Sequence, residues 1–149
     1  MKGGFYEGYF ENGFRNVKGR YIFDSGDMYS LKLAEKIYSV MVATPWTRHW
    51  LPTRMHKFSK FADILAKMEA LPNVVVRLSS DSINGDIIAG NTTSTIIPTI
   101  SHKRPDMLAC EAYERNGKCG ACRACWDKDV KVVAYVAHGQ KMLKQVKNL

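Results

Sequence analysis

The chain has 149 residues, 46% hydrophobic and 24% charged, and a formal net charge of +8. A chain of this size buries a core without disulfide or metal staples. No apolar run approaches the roughly twenty residues of a membrane span, so the composition excludes a transmembrane helix and predicts one globular domain. The N-terminus MKGGFYEGYF has no apolar stretch and no small-residue cleavage site. Secretion is therefore not expected, and the thiols should meet a reducing cytoplasm in which disulfides do not persist.

Residues 1–19 read as a segment apart from a single domain over 20–149. They are rich in glycine and aromatics, with Phe5, Tyr6, Tyr9, Phe10 and Phe14 interleaved with Glu7, Glu11, Arg15 and Lys18, and Arg20 follows. Arginine and aromatic rings in one segment can stack on bases, which makes Arg15, Lys18 and Arg20 candidates for nucleic-acid contact. Such rings more often pack on the domain or on a second subunit.

From Arg20 onward, strand-like and helix-like stretches alternate. Tyr21-Ile22-Phe23 predicts a short strand ending at the turn Asp24-Ser25-Gly26-Asp27. Leu33, Ile37, Val40 and Met41 recur at helical spacing until Pro45. Thr47–Thr53 reads as a second strand closed by Pro52. Phe58, Phe61, Leu65 and Met68 mark one face of a second helix, opposed by Lys57, Lys60, Asp63, Lys67 and Glu69. Pro72-Asn73 ends it, and Val74–Leu78 is short, β-branched and bounded by turn residues, the marks of a buried strand. A polar loop precedes a fourth strand over Ser94–Thr99, Val130–Ala137 predicts a last strand, and the tail from Lys141 predicts a short helix.

Strand-helix-strand-helix-strand order implies an α/β fold with a βαβαβ parallel-sheet core, by connection length and handedness. The sheet is expected to be open or a partial barrel, with a cysteine-cluster loop over 110–126 near the C-terminus. Ligands of such sheets sit beyond the C-terminal strand ends. That rule collects Asp24, Ser25, Asp27, Thr53, Arg54, Ser79, Ser80, Asp81 and His138 as a candidate ligand-binding edge. Turn and cap chemistry accounts for the same residues one by one. No glycine-rich phosphate loop, nucleophile elbow or helical His pair is present, and no catalytic residue is assigned.

All four cysteines, Cys110, Cys119, Cys122 and Cys125, fall within sixteen residues, with gaps of eight, two and two. Gly120, Ala121 and Ala124 allow the backbone between them to curl around a metal centre and aim N–H groups at sulfur. A single Zn²⁺ is usually held by two separated pairs, whereas Cys-x₂-Cys-x₂-Cys plus a remote Cys is closer to the ferredoxin way of holding [4Fe–4S]. A [4Fe–4S] cluster is the expected cofactor, with Zn²⁺ as the alternative. His102 or His138 could replace one thiol, and Trp126 is expected to shield the site from water. Four thiolates on either metal centre make a site of net −2, so the loaded chain keeps a charge of +6, a balance that suits nucleic acid or an acidic protein partner.

The stretches Phe23–Ser30, Ala43-Thr44-Pro45, Trp50–Arg54 and Leu71–Val74, with Cys119-x₂-Cys122-x₂-Cys125-Trp126 leading into Val132, Ala134, Tyr135 and His138, resemble the bacteriophage "gene product 88" family over roughly residues 20–140. The resemblance implies a phage gene expressed in the host cytoplasm. Longer members carry a further cysteine-bearing segment ahead of the Ser-Gly-Asp stretch, where this chain has the cysteine-free residues 1–19. The βα units and cysteine cluster also have a distant fold-level similarity to half of a radical S-adenosylmethionine barrel, whose Cys-x₃-Cys-x₂-Cys is missing. Two function classes follow. One is a non-enzymatic iron–sulfur accessory protein, or a structural zinc protein, that binds nucleic acid or a host protein. The other is a redox or radical enzyme component completed by a partner chain or dimer, with Asp24, Asp27, Arg54 and Ser80 around a small polar substrate. The first is preferred.

Overall fold

A computed structural model of the chain describes residues 27–148, together with the backbone of residues 5–11 and 14–22. The side chains of Arg15, Lys18 and Arg20, and residues Asp24 and Ser25, lie outside the described residues.

Two strands, β1 (Phe5–Glu11) and β2 (Phe14–Ile22), form an antiparallel two-stranded sheet. Phe5 pairs with Ile22 and Glu11 with Phe14, and the register shifts between Gly8 and Phe10. Tyr21 and Ile22 of the strand expected at Tyr21–Phe23 are therefore the end of β2 and pair with β1, not with the parallel sheet, while Phe23 lies outside the described residues. The sequence carried a hairpin signal in Asn12-Gly13, between two runs of aromatic and β-branched residues. The register shift breaks the alternation that would otherwise have marked the strands.

The chain divides into two compact units, residues 1–76 and 77–149. In the first, α1 (Leu31–Ala43) starts at Ser30, whose hydroxyl accepts the Leu33 N–H at 3.1 Å, a standard N-cap. Ala34, Ile37 and Met41 are its buried stripe, while Val40 is 54% exposed, so the helix turns a narrower face inward than the apolar pattern suggested. Strand β3 (His49–Thr53) follows. Two 3₁₀ turns, Met55–Lys57 and Ser59–Phe61, come before α2 (Ala62–Ala70). Because those turns interrupt helical winding, Phe58 falls off the α2 face and is 51% exposed, while Phe61, Ile64, Leu65 and Met68 are buried. The Asn73 amide donates to the carbonyls of Met41, Thr44 and Thr47 at 3.2, 3.2 and 3.0 Å, satisfying acceptors that the end of α1 leaves open.

Strand β4 (Val74–Ser79) contains the division between the units. The second unit continues with β5 (Thr93–Ile97), β6 (Leu108–Ala109), β7 (Val132–Val136) and α3 (Gln140–Val146). The strands form an open parallel sheet of order β3-β4-β5-β7-β6, so the architecture is α/β without a closed barrel. Register runs from Thr93↔Val132 to Ile97↔Val136, with Ser79↔Ser94 and Leu108↔Val133. Side chains alternate across a strand. Arg77, Ser79, Ser94, Val133 and Tyr135 therefore share one face, and Ile97, Val132 and Ala134 the other, where they join Met107 in the core of this unit. The two-residue β6 has no sequence signature; its pairing with β7 alone defines it. No described helix is long and apolar enough to cross a membrane.

Candidate metal centre

The four cysteines of the second unit are carried by loop backbone anchored to the sheet. Cys110 directly follows β6, and its N–H donates to the Ala134 carbonyl at 2.8 Å, extending the β6–β7 pairing by one bond. Between Cys110 and Cys119 the chain reverses through Asn116 and Gly117, at φ 54° and 76°. Gly120 (φ 58°) lies just after Cys119 in a left-handed conformation that a side chain would strain. The Cys122 N–H donates to the Cys119 carbonyl at 3.1 Å, and Arg123 Nη1 donates to the carbonyls of Gly120 and Cys122 at 2.7 Å each. Cys125 sits in the 3₁₀ turn Ala124–Trp126, with Sγ 3.0 Å from the Tyr135 hydroxyl. Trp126, the expected shield, is half-buried.

All four thiols are free; Cys110 and Cys125 are half-buried, and Cys119 and Cys122 are exposed. Burial pushes the Cys125 thiol up from its ordinary pKa. The Tyr135 hydrogen bond and the Arg77 charge oppose that rise, while Cys110 and Cys119 reinforce it. Burial, and then the proximity of Cys125, pushes the Tyr135 phenol up as well, so it stays protonated and available to donate to sulfur. Three of the four thiols thus share one electrostatic neighbourhood. Among the described residues, no three His, Cys, Asp or Glu side chains are gathered as a metal-holding group. The donor set nevertheless fits soft-metal chemistry: four unpaired thiols and no competing disulfide, on turns with left-handed backbone.

The group that sequence reasoning missed is Arg77, an arginine inside the apolar strand Val74–Ser79 and fully buried. Nε donates to the Cys125 carbonyl at 3.4 Å. Nη1 donates to Thr93 and Val130, both at 3.0 Å, and Nη2 to Ala124 and Asp127 at 3.2 and 3.1 Å. Burial pushes its pKa down; Cys125, Tyr135 and Asp127 hold it up. The only visible signal was a charged residue interrupting Val-Val-Val and Leu.

The candidate ligand-binding edge divides between the units. In the first, Asp27 Oδ1 accepts the Thr53 hydroxyl at 2.7 Å and the Met28 N–H at 2.8 Å, and Oδ2 accepts the Arg54 N–H at 2.6 Å. In the second, the Ser80 hydroxyl accepts the Ser82 N–H at 3.1 Å, Ser79 and Ser94 hydroxyls lie 3.1 Å apart, and Asp81 is exposed. His138 is exposed with Nδ1 3.0 Å from the Val136 carbonyl, and His102 Nδ1 is 2.8 Å from Thr99 Oγ1. Beside the cysteine loop, an open groove of about 620 Å³ is lined by Ile100, Lys103, Met107, Leu108, Arg115 and Cys122, among others.

No curated protein and no solved structure matched the chain. The Gene product 88 family matches residues 13–128, a span that takes in β2, α1, α2 and all four cysteines and leaves out β7 and α3. The chain belongs to this bacteriophage family, gene product 88.

Proposed function

We propose that the chain is a non-enzymatic iron–sulfur accessory protein of phage that works in the host cytoplasm by binding nucleic acid. Cys110, Cys119, Cys122 and Cys125 would hold a [4Fe–4S] cluster, and the supporting observation is four free thiols on a loop tied to the sheet by Arg77 and Tyr135. When bound, the cluster supplies a covalent tie between distant points of the loop and a one-electron redox centre. The chain's own groups do the rest. Tyr135 donates to Cys125, favouring the thiolate. The Cys110 N–H stays in the sheet edge, fixing the remote ligand. Trp126 flanks Cys125 as a partial water barrier.

The role is non-enzymatic because the carboxylate best placed to grip a substrate, Asp27, is already engaged by three donors of its own chain. Four thiol ligands would also leave no iron open to a substrate. The net charge of +8, lowered to +6 by a loaded site, favours a polyanion as the partner.

The test is the metal and sulfide content of protein purified without oxygen. The expected protein is brown, with broad absorption near ~400 nm and about four irons per chain. Colourless protein with one zinc per chain replaces the cluster with a structural zinc site, and protein with neither metal overturns the reading.

A further inference from the structure

A guanidinium taken out of water costs several kcal/mol unless its donors are met and its charge is answered. Arg77 meets the first condition fully. Its side chain has five N–H donors, and each is directed to a different carbonyl, those of Thr93, Ala124, Cys125, Asp127 and Val130. Four of the five acceptors lie 47 to 53 residues further along the chain, on the stretch that begins at the last cysteine turn. Carbonyl dipoles solvate the cation but do not neutralise it. The side chain forms no ion pair among the described residues; the groups that face it electrostatically are Cys125, Tyr135 and Asp127. The Asp127 carboxylate is exposed and accepts the Asp129 N–H at 2.9 Å. Cys125 is the one of these groups that belongs to the four-thiol loop, and Arg77 Nε holds its carbonyl at 3.4 Å, so thiolates on a bound metal would place the answering negative charge beside the guanidinium.

We infer that Arg77 is the positioning residue of the thiol centre: it pins the backbone of residues 124–130 to the sheet and supplies the buried positive charge that offsets the thiolates. The inference rests on the reading of the four cysteines as thiolate ligands, and it adds a second function for the strand that carries Arg77. A four-thiolate site of net −2 is reduced to −1 by one adjacent guanidinium. Lysine cannot replace it, since an ammonium has three donors and no planar fork. Glutamine supplies two donors and no charge.

The two halves are tested separately on the full chain. In metal-free protein, Arg77→Lys and Arg77→Gln should each raise amide hydrogen exchange at residues 124–130 at least tenfold, with exchange in α2 unchanged. In competition with a chromophoric chelator, Zn²⁺ affinity should fall about tenfold in Arg77→Lys and a further tenfold in Arg77→Gln, which loses the charge as well. Unchanged loop exchange in both variants overturns the clamp, and equal Zn²⁺ affinity in the two overturns the charge role. An unmodified protein that binds neither Zn²⁺ nor iron overturns the metal reading itself, whereas the exchange experiment still decides the clamp. Should both variants fail to fold, ¹⁵N spectra of the unmodified protein decide it: the Arg77 guanidinium should show slow N–H exchange and hindered rotation. A freely rotating, fast-exchanging signal overturns the proposal.

Discussion

Thr53 donates its hydroxyl proton to Asp27 across 26 residues of sequence, at 2.7 Å, while the other Asp27 oxygen accepts the Arg54 N–H at 2.6 Å. This pair ties the approach to α1 to the end of β3, and Thr53 is almost fully buried. A carboxylate that meets three donors is a structural tie. Asp27→Asn keeps the side chain's shape but replaces one acceptor oxygen by an NH₂ facing a donor. It should cost about 1–3 kcal/mol of stability, the range for a charge-assisted bond with a mismatched partner left behind, measured by urea denaturation. No rise in melting temperature with S-adenosylmethionine or nucleotides is expected in the unmodified protein. A rise of several degrees that disappears in Asp27→Asn would favour the enzyme reading.

His49 gives the protein a pH dependence with a definite sign. It is buried in β3 with Nε2 2.9 Å from Thr44 Oγ1, and burial lowers its pKa below the ordinary 6.5. The unfolded chain therefore binds the proton more readily than the folded one. The stability tied to neutral His49 is complete above pH 6.5 and is lost as pH falls toward the lower folded value. Melting temperature should drop between pH 7 and pH 5, and His49→Gln, which can keep a bond to Thr44 without titrating, should flatten that drop. An identical pH profile in the variant would assign the dependence to other groups.

On the proposed iron–sulfur reading, Cys122→Ser should lose the cluster and lower solubility, because binding at a site of this kind would be coupled to folding of its loop. Retention of full iron content and an unchanged melting temperature would remove Cys122 from the ligand set.

Nucleic-acid affinity should fall with salt, with a log–log slope on the order of −3 to −6 for a handful of phosphate contacts. Charge reversal at Arg15, Lys18 and Arg20 together should weaken binding more than reversal at the exposed Lys60 and Lys67. Equal losses would indicate diffuse electrostatics, and binding indifferent to salt would point to a protein partner.

Features that depend on neighbours along the chain were legible before folding. Val74–Leu78 had to be a strand because β-branched residues sit between Pro72-Asn73 and a serine turn, and Pro45 marked the end of α1, whereas its N-cap, Ser30, emerged only from the fold. The four cysteines could be picked out by spacing alone, and the family by its short motifs. Tertiary structure decided the rest, since periodicity reports which face is buried but not what covers it. The tail of β2 read as a parallel-sheet strand because Tyr21 and Ile22 look the same in either setting; only antiparallel pairing with Phe5 and Tyr6 distinguishes them. Two-residue β6 exists because β7 offers it partners. Arg77 is the clearest case: a charge in a core strand is unfavourable by every local rule, and the carbonyls that make it tolerable come mainly from the cysteine loop about fifty residues later.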